Sequence, residues 1–265
     1  MIEYEELGYR FVRRLSQGRD LNVDEVWSEE RRCLCIAKTV RPDRLHPEQL
    51  RRLRREGRLL RRFSHPHLVR AYELHHKPTV VVIEEMLGGV TLDALLERRR
   101  RLPLVDLANL LDQLCSVVGY LHHHGQLHLD LKPSNVIIEA GRTRLIDLSL
   151  AHAPGVGPPG WGTRGYLSPE QATGGRFTSA ADVWGLGMIA YVSAVGHNPF
   201  GDQESTAGSS GEDAPYLQCS ARAPLVGAAR RLPKPLREVI DAALESNPCD
   251  RPSLVDLSQA AAPFT

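Results

Sequence analysis

The sequence has no surplus of charge: 33 Lys and Arg stand against 32 Asp and Glu, a formal net charge of +1. A balanced chain has no overall field to draw in nucleic acid or an anionic membrane, so any phosphate it binds must be met locally. Cysteine is scarce and shows no pairing pattern. The five, Cys33, Cys35, Cys115, Cys219 and Cys249, form no C-x-x-C and no spaced zinc pattern, which fits a reducing, cytoplasmic setting. Cys33 and Cys35 stand two apart in an apolar run, so on a strand they share a face and read as packing residues rather than ligands. No apolar run approaches the roughly 18 residues of a membrane helix. The acidic start, Met1 to Tyr9, lacks the apolar core of a signal peptide, and no internal repeat is present.

What is there suffices for a substantial core: 265 residues, 42% hydrophobic, allow one large domain or two small lobes. The first third reads as strands over Tyr9–Leu15, Val23–Trp27 and Cys33–Val40, then a helix over Pro47–Arg62, then a strand over Thr79–Ile83. The many arginines of that helix mark either a solvated face or a docking surface for an acidic partner. Gly88 and Gly89 then punctuate the chain as a hinge. Beyond it, Leu107, Leu110, Leu111, Leu114, Val117, Val118 and Leu121 fall on one helical face. Ala180 to Val195 is apolar nearly all round, as a helix at the centre of a lobe would be, and Leu236 to Leu244 is a later amphipathic helix. Pro154–Gly162 and Gly201–Pro215 read as mobile loops.

Between these elements runs an ordered series of short motifs: L-C-I-A-K-T-V, the glutamate of L-R-R-E-G-R-L-L, H-L-D-L-K-P-S-N, D-L-S, G-T-R-G-Y-L-S-P-E, A-D-V-W-G-L-G and N-P-C-D-R-P. In this order they resemble the protein kinases, over nearly the whole chain from Tyr9 to about Leu257. The phrase G-Y-L-S-P-E-Q and the Arg, Ala and Leu content are similar to the bacterial, eukaryotic-like serine/threonine kinase catalytic domains. The resemblance implies an α+β, two-lobed fold in a single kinase domain. A small antiparallel-sheet N-lobe with one helix would span about 1–84, a hinge about 85–89, and a larger, mainly helical C-lobe about 90–265. It also implies ATP and Mg²⁺ as cofactors and a protein substrate with a Ser or Thr acceptor, with a regulatory partner possible.

Phosphoryl transfer needs a held polyphosphate, metal ions that neutralise it and a group that orients the attacking hydroxyl. By the resemblance, Lys38 contacts the phosphates and Glu56 pairs with it. Asp130 orients the acceptor hydroxyl, Lys132 steadies the transferring phosphate, and Asn135 and Asp147 are oxygen ligands for Mg²⁺. Ser16 and Gly18 belong to the phosphate-covering loop, Val23 and Ala37 lie above adenine, Ile137 lies below it, and Glu85 and Leu87 in the hinge complete the nucleotide-binding set. Thr163 would hydrogen-bond near Asp130 and Lys132. Glu170 and Arg251 would form a buried ion pair, and Asp182 would accept from the backbone around the catalytic loop. His128 is expected to be packed and structural, and His122 to His124 to be solvated at a helix end.

The departures from the family pattern are also informative. Of the glycine-rich loop only Gly18 matches in S-Q-G-R-D-L-N-V, which leaves the lid looser or the ATP affinity lower. D-L-S stands where D-F-G is usual. Counting back from G-V-T-L puts Glu84 at an apolar position behind adenine, where a buried carboxylate needs a partner or a raised pKa; a one-residue slip of the alignment explains it equally well. Leu129 replaces the arginine that in many regulated members pairs with a loop phosphate. The segment between Ser149 and Thr163 holds no Ser, Thr or Tyr, so activity without loop phosphorylation is expected. Two other readings stay open: a pseudokinase serving as an ATP-binding or scaffold module, and a small-molecule phosphotransferase of the aminoglycoside-kinase type. The latter class lacks the G-T-x-G-Y-x-x-P-E segment.

Overall fold

The computed structural model describes residues 4–201 and 216–265. The described chain divides into two compact units, one running up to Gly88 and including Ile146–Ser149, the other comprising Gly89–Leu145 and Leu150–Thr265.

The first unit is an antiparallel sheet with one helix. Strands β1 (Tyr9–Gln17), β2 (Leu21–Ser28), β3 (Cys33–Val40), β4 (Ala71–His75) and β5 (Val81–Glu85) lie in the order β1-β2-β3-β5-β4. Strand β3 has the expected bounds, whereas β5 begins two residues later than the pattern predicts and β4 has no clear signal in the sequence. Strand alternation sends Val26, Cys35, Ala37, Val81 and Ile83 to one face, where they pack with Tyr4 and Tyr9. Cys35 is fully buried there with Cys33 against it, so both cysteines are packing residues. Helix α1 (Pro47–Arg62) has the predicted bounds and begins on a proline, whose missing N–H costs nothing in a first turn. Its buried residues, Leu53, Glu56, Gly57 and Leu60, recur at three and four. Arg51, Arg58, Arg61 and Arg62 are exposed. Gly57 lets the helix sit close to the sheet: a Cβ there would stand 2.8 Å from Val82 Cγ2 and 3.0 Å from Leu74 Cδ1.

The second unit is mainly helical. A three-stranded sheet, β6 (Val90–Thr91), β7 (Val136–Glu139) and β8 (Arg142–Leu145), frames the loop that carries Asp130. Around it stand α2 (Leu92–Arg99), α3 (Leu104–His123), α4 (Pro169–Thr173), α5 (Ser179–Val195), the short α6 (Leu217–Ser220) and α7 (Val226–Ala229), α8 (Lys234–Ala243) and α9 (Leu254–Ala261). Helix α5 is the core: every residue from Ala181 to Ala194 is buried. Thr178 caps its start by accepting from the Ala180 N–H. Helix α3 has a mean hydropathy of 1.3 over an 18-residue window and so is long and apolar enough on average to cross a membrane, although Asp106, Asn109, Asp112 and Gln113 interrupt it. Its apolar face is buried instead, packed against α5 and α9.

One correction concerns Pro154–Gly162. It is not an open loop, because β9 (Gly155–Gly157) pairs with β10 (Gly175–Phe177). Glycine is required at 157, where a Cβ would lie 2.0 Å from the Phe177 ring. Of the other predicted loop, Gly201–Pro215, all but Gly201 lies outside the described residues.

Filling the contact between α1 and the sheet should be costly. Gly57→Val is expected to lower stability by about 1–3 kcal/mol through overpacking. Gly119→Ala, where a Cβ meets nothing nearer than 3.7 Å, should not. Thermal unfolding followed by circular dichroism compares the two.

Candidate active site

In the sheet unit the polar face centres on Lys38. Opposite residues of an antiparallel pair share a face, and Lys38 stands opposite Val23 on β2 and Val82 on β5. Its ammonium lies 2.7 Å from Glu56 Oε1 on α1 and 3.1 Å from Glu84 Oε1 on β5. All three groups are buried. Burial would drive the lysine toward its neutral form, but the charges of Glu56, Glu84 and Asp147 outweigh it and hold Lys38 protonated. Burial pushes the Glu56 and Glu84 carboxyls up against the pull of Lys38. The register decides the question left open at Glu84. Glu84 pairs with Ile36 and so shares the face of Lys38, while Glu85 turns to the other side and accepts from the Arg70 N–H. The alignment has not slipped.

The same alternation corrects Ala37. Adjacent residues of a strand point to opposite faces, so Ala37 is buried in the cluster with Tyr4, Tyr9 and Val26, away from Lys38. Ile36, two residues before the lysine, is the side chain that shares its face. Ser16 stands on β1 opposite Val23; the turn that follows is closed by a 2.9 Å bond from the Gly18 N–H to the Leu21 carbonyl, and Arg41 Nη1 donates to the Gly18 carbonyl at 3.0 Å. Leu87 is buried. Asp147 has a left-handed backbone, φ +70°, and accepts from the Ser149 N–H at 2.8 Å. Leu148 is fully buried, filling the apolar place after the aspartate.

In the helical unit, Asp130 is the hub of a compact hydrogen-bond network. Thr163 Oγ1 donates to Asp130 Oδ1 at 2.7 Å and accepts from Lys132 Nζ at 2.6 Å. Lys132 Nζ also lies 3.2 Å from Asp130 Oδ2. Asn135 Nδ2 donates to the Asp130 carbonyl at 2.9 Å, which turns its amide oxygen away from Asp130. The Asn135 amide oxygen and, in the sheet unit, the Asp147 carboxylate are each a hard donor of the kind Mg²⁺ takes. Ile137 is half-buried on β7, opposite Arg144.

The network stands on a strained backbone. Leu129 has φ +65°, a conformation that costs a non-glycine residue about 1–3 kcal/mol and persists only where the surroundings impose it. Asp182 imposes it, accepting the His128 and Leu129 N–H groups at 2.8 Å each. The family model described as "Protein kinase domain" matches residues 9–261. The chain belongs to the protein kinase family.

Among curated relatives of this kinase chain, calcium/calmodulin-dependent protein kinase type 1 of Macrobrachium nipponense is 32% identical over 57% of the chain and 46% of its own length. Calcium/calmodulin-dependent protein kinase type 1B of Homo sapiens is 33% identical over 55% and 44%. Serine/threonine-protein kinase PknA of Corynebacterium glutamicum is 32% identical over 64% and 39%. The matched part of the chain thus spans less than half the length of each of these three relatives.

Two supports of the kinase site escaped the sequence reading. His122 is not solvated: its Nε2 lies 2.7 Å from Asp182 Oδ2, whereas His123 and His124 are exposed. Gln171 is buried and donates through Nε2 to the Leu129 carbonyl at 2.8 Å and the Trp161 carbonyl at 2.7 Å, joining the catalytic loop to the following segment. Its signal was legible in S-P-E-Q, a capping box that the structure forms between Ser168 and Gln171. Glu170 and Arg251 do pair, in a two-pronged contact of 2.7 and 2.8 Å, and His128 is buried.

Burial alone would raise the Asp182 carboxyl, but the His122 bond and charge, the His128 charge and the Leu129 N–H outweigh it and lower the pKa. A depressed carboxyl stabilises the fold above its unfolded value, about 3.9, and that contribution disappears as pH falls through the lower folded value. Asp182→Asn should flatten acid unfolding below about pH 4 and cost about 2 kcal/mol or more at neutral pH, since an amide turns a donor toward backbone N–H groups. Urea unfolding across pH measures both.

Proposed function

We propose that this chain is an ATP- and Mg²⁺-dependent protein kinase that transfers the γ-phosphoryl group to Ser or Thr hydroxyls of protein substrates, in a cytoplasmic setting and without phosphorylation of the 149–163 segment. The observation that carries the reading is the Asp130 network. One carboxylate oxygen takes the Thr163 hydroxyl, the other faces Lys132, and the buried catalytic-loop backbone holds both in place. A carboxylate so fixed can orient an acceptor hydroxyl and receive its proton, and Lys132 supplies positive charge beside it. Lys38, held charged by its carboxylates, serves the phosphates. Asn135 and Asp147 each offer an oxygen to Mg²⁺, which when bound neutralises charge on the transferring group. The preference for Ser or Thr rests on Lys132 with Pro133, on Thr163, and on the printed name of the PknA relative. Five free cysteines support a reducing compartment.

Independence from loop phosphorylation is supported by what replaces the missing arginine. Leu129 is buried with Leu127, Phe177 and Ala181, and Trp161 of the segment packs against this cluster. Trp161 Nε1 also donates to the Leu150 carbonyl at 3.3 Å. Apolar packing thus ties the segment down where a phosphate and an arginine would otherwise be needed. The pseudokinase reading is favoured by the single glycine of the phosphate loop and by D-L-S, and one assay separates the two.

With radiolabelled ATP and a generic protein acceptor, wild type should transfer phosphate to Ser or Thr. Asp130→Ala should be slower by about 100-fold or more, as for loss of a positioned general base; transfer that does not depend on Asp130 sinks the reading. A phosphatase-treated sample should transfer as fast as an untreated one. Activity lost on treatment and regained by phosphorylation within residues 149–163 would remove the claim of independence.

A further inference from the structure

The buried face of the sheet unit holds more acid than a single lysine–glutamate pair requires. Lys38 meets Glu56 at 2.7 Å and Glu84 at 3.1 Å, with neither carboxylate exposed by more than a few per cent. The two carboxylates differ in what holds them. Glu56 comes from α1, which meets the sheet through side-chain packing of Leu53, Gly57 and Leu60. Glu84 comes from β5, hydrogen-bonded to β3 in fixed register, with Lys38 opposite Val82 and Ile36 opposite Glu84. Lys38 and Glu84 are therefore diagonal neighbours on one face, at a separation set by backbone hydrogen bonds. A shift of α1 changes the distance from Lys38 to Glu56 but leaves that to Glu84 as it is.

We propose that Glu84 is a second anchor for Lys38, a positioning residue that keeps the lysine side chain in place on the sheet when Glu56 is withdrawn. An ammonium has three donors; Glu56 takes one as a hydrogen bond, whereas Glu84 Oε1, at 3.1 Å, has no hydrogen-bond partner among the described residues and directs the ammonium by its charge. The lysine then stays directed whether or not α1 is seated, so movement of α1 is a weak control on this chain. Asp147 adds a third acidic charge to the surroundings, and Glu56 and Glu84 lie at ion-pair distance from the lysine. The proposal rests on the kinase reading for what Lys38 does, but not for how Lys38 is held.

Wild type, Glu56→Gln, Glu84→Gln, the double variant and Lys38→Met, as the zero, are compared in phosphoryl transfer and by NMR of the Lys38 ¹⁵Nζ ammonium, which is observable when held and shielded from exchange. Each single variant should keep transfer within about tenfold of wild type and retain the ammonium signal. The double variant should fall about tenfold or more below the product of the singles, as groups sharing one partner do, and lose the signal. A Glu56→Gln as inactive as Lys38→Met, or a double variant equal to the product of the singles, overturns the proposal. Should a buried glutamine prevent folding, Glu56→Met and Glu84→Met make the same comparison with apolar side chains. If wild type transfers nothing while the signal survives each single change and vanishes in the double, the anchor stands and the kinase reading falls.

Discussion

The catalytic loop of this protein depends on one buried carboxylate. Asp182 sits in the first turn of α5, where the helix dipole favours a negative charge. It reaches the backbone at His128 and Leu129. Those two N–H groups have no ladder to join, and a buried orphan donor would cost about 1–3 kcal/mol. By accepting both, Asp182 makes the left-handed turn at Leu129 tenable, and that turn aims Asp130. Because α5 is buried along nearly its whole length, the carboxylate is fixed by packing and its position cannot drift with the surface. His122, placed against it at the end of α3, supplies a polar partner inside the same core.

This dependence explains what the sequence could and could not disclose. Strand β3 and helix α1 were legible to the residue because an apolar run of eight and a repeat at three and four each outlast local noise. Strands β6 to β10, of two to four residues, carry no period; β6 pairs with β7 and β9 with β10 across long stretches of sequence, while β7 and β8 form a tight hairpin closed at Glu139 and Arg142. His122 looked like one of three equivalent histidines at a helix end. What distinguishes it is Asp182, 60 positions later, and no local pattern shows that. Ala37 is the opposite case. Alternation alone places it on the far face from Lys38.

The catalytic loop and the segment after it are joined by apolar and amide contacts. Leu129 does two things: its backbone sets the turn, and its side chain is buried with Leu127, Phe177 and Ala181 where Trp161 packs. Gln171 then ties the carbonyls of Leu129 and Trp161 to a single amide. An arginine at 129 would place a charge in that apolar cluster at a cost of several kcal/mol unless an anion met it. Leucine removes the need for the anion. The absence of Ser, Thr and Tyr between Ser149 and Thr163 thus accompanies an apolar side chain, not a charge, at residue 129.

The sheet unit has made the reverse choice, keeping charge where packing would be cheaper. Replacing a buried ion pair by well-packed apolar residues is often neutral or stabilising, and the opposite face of the same sheet shows that this chain packs Val26, Cys35, Ala37, Val81 and Ile83 without difficulty. Lys38, Glu56 and Glu84 are therefore not explained by stability. An apolar side chain at Glu84 would serve the core better and would leave Lys38 with Glu56 alone. Retaining the second carboxylate makes sense only if the direction of the lysine matters more than the desolvation it costs. On the function proposed above, that places the demand on the direction of Lys38 rather than on the fold.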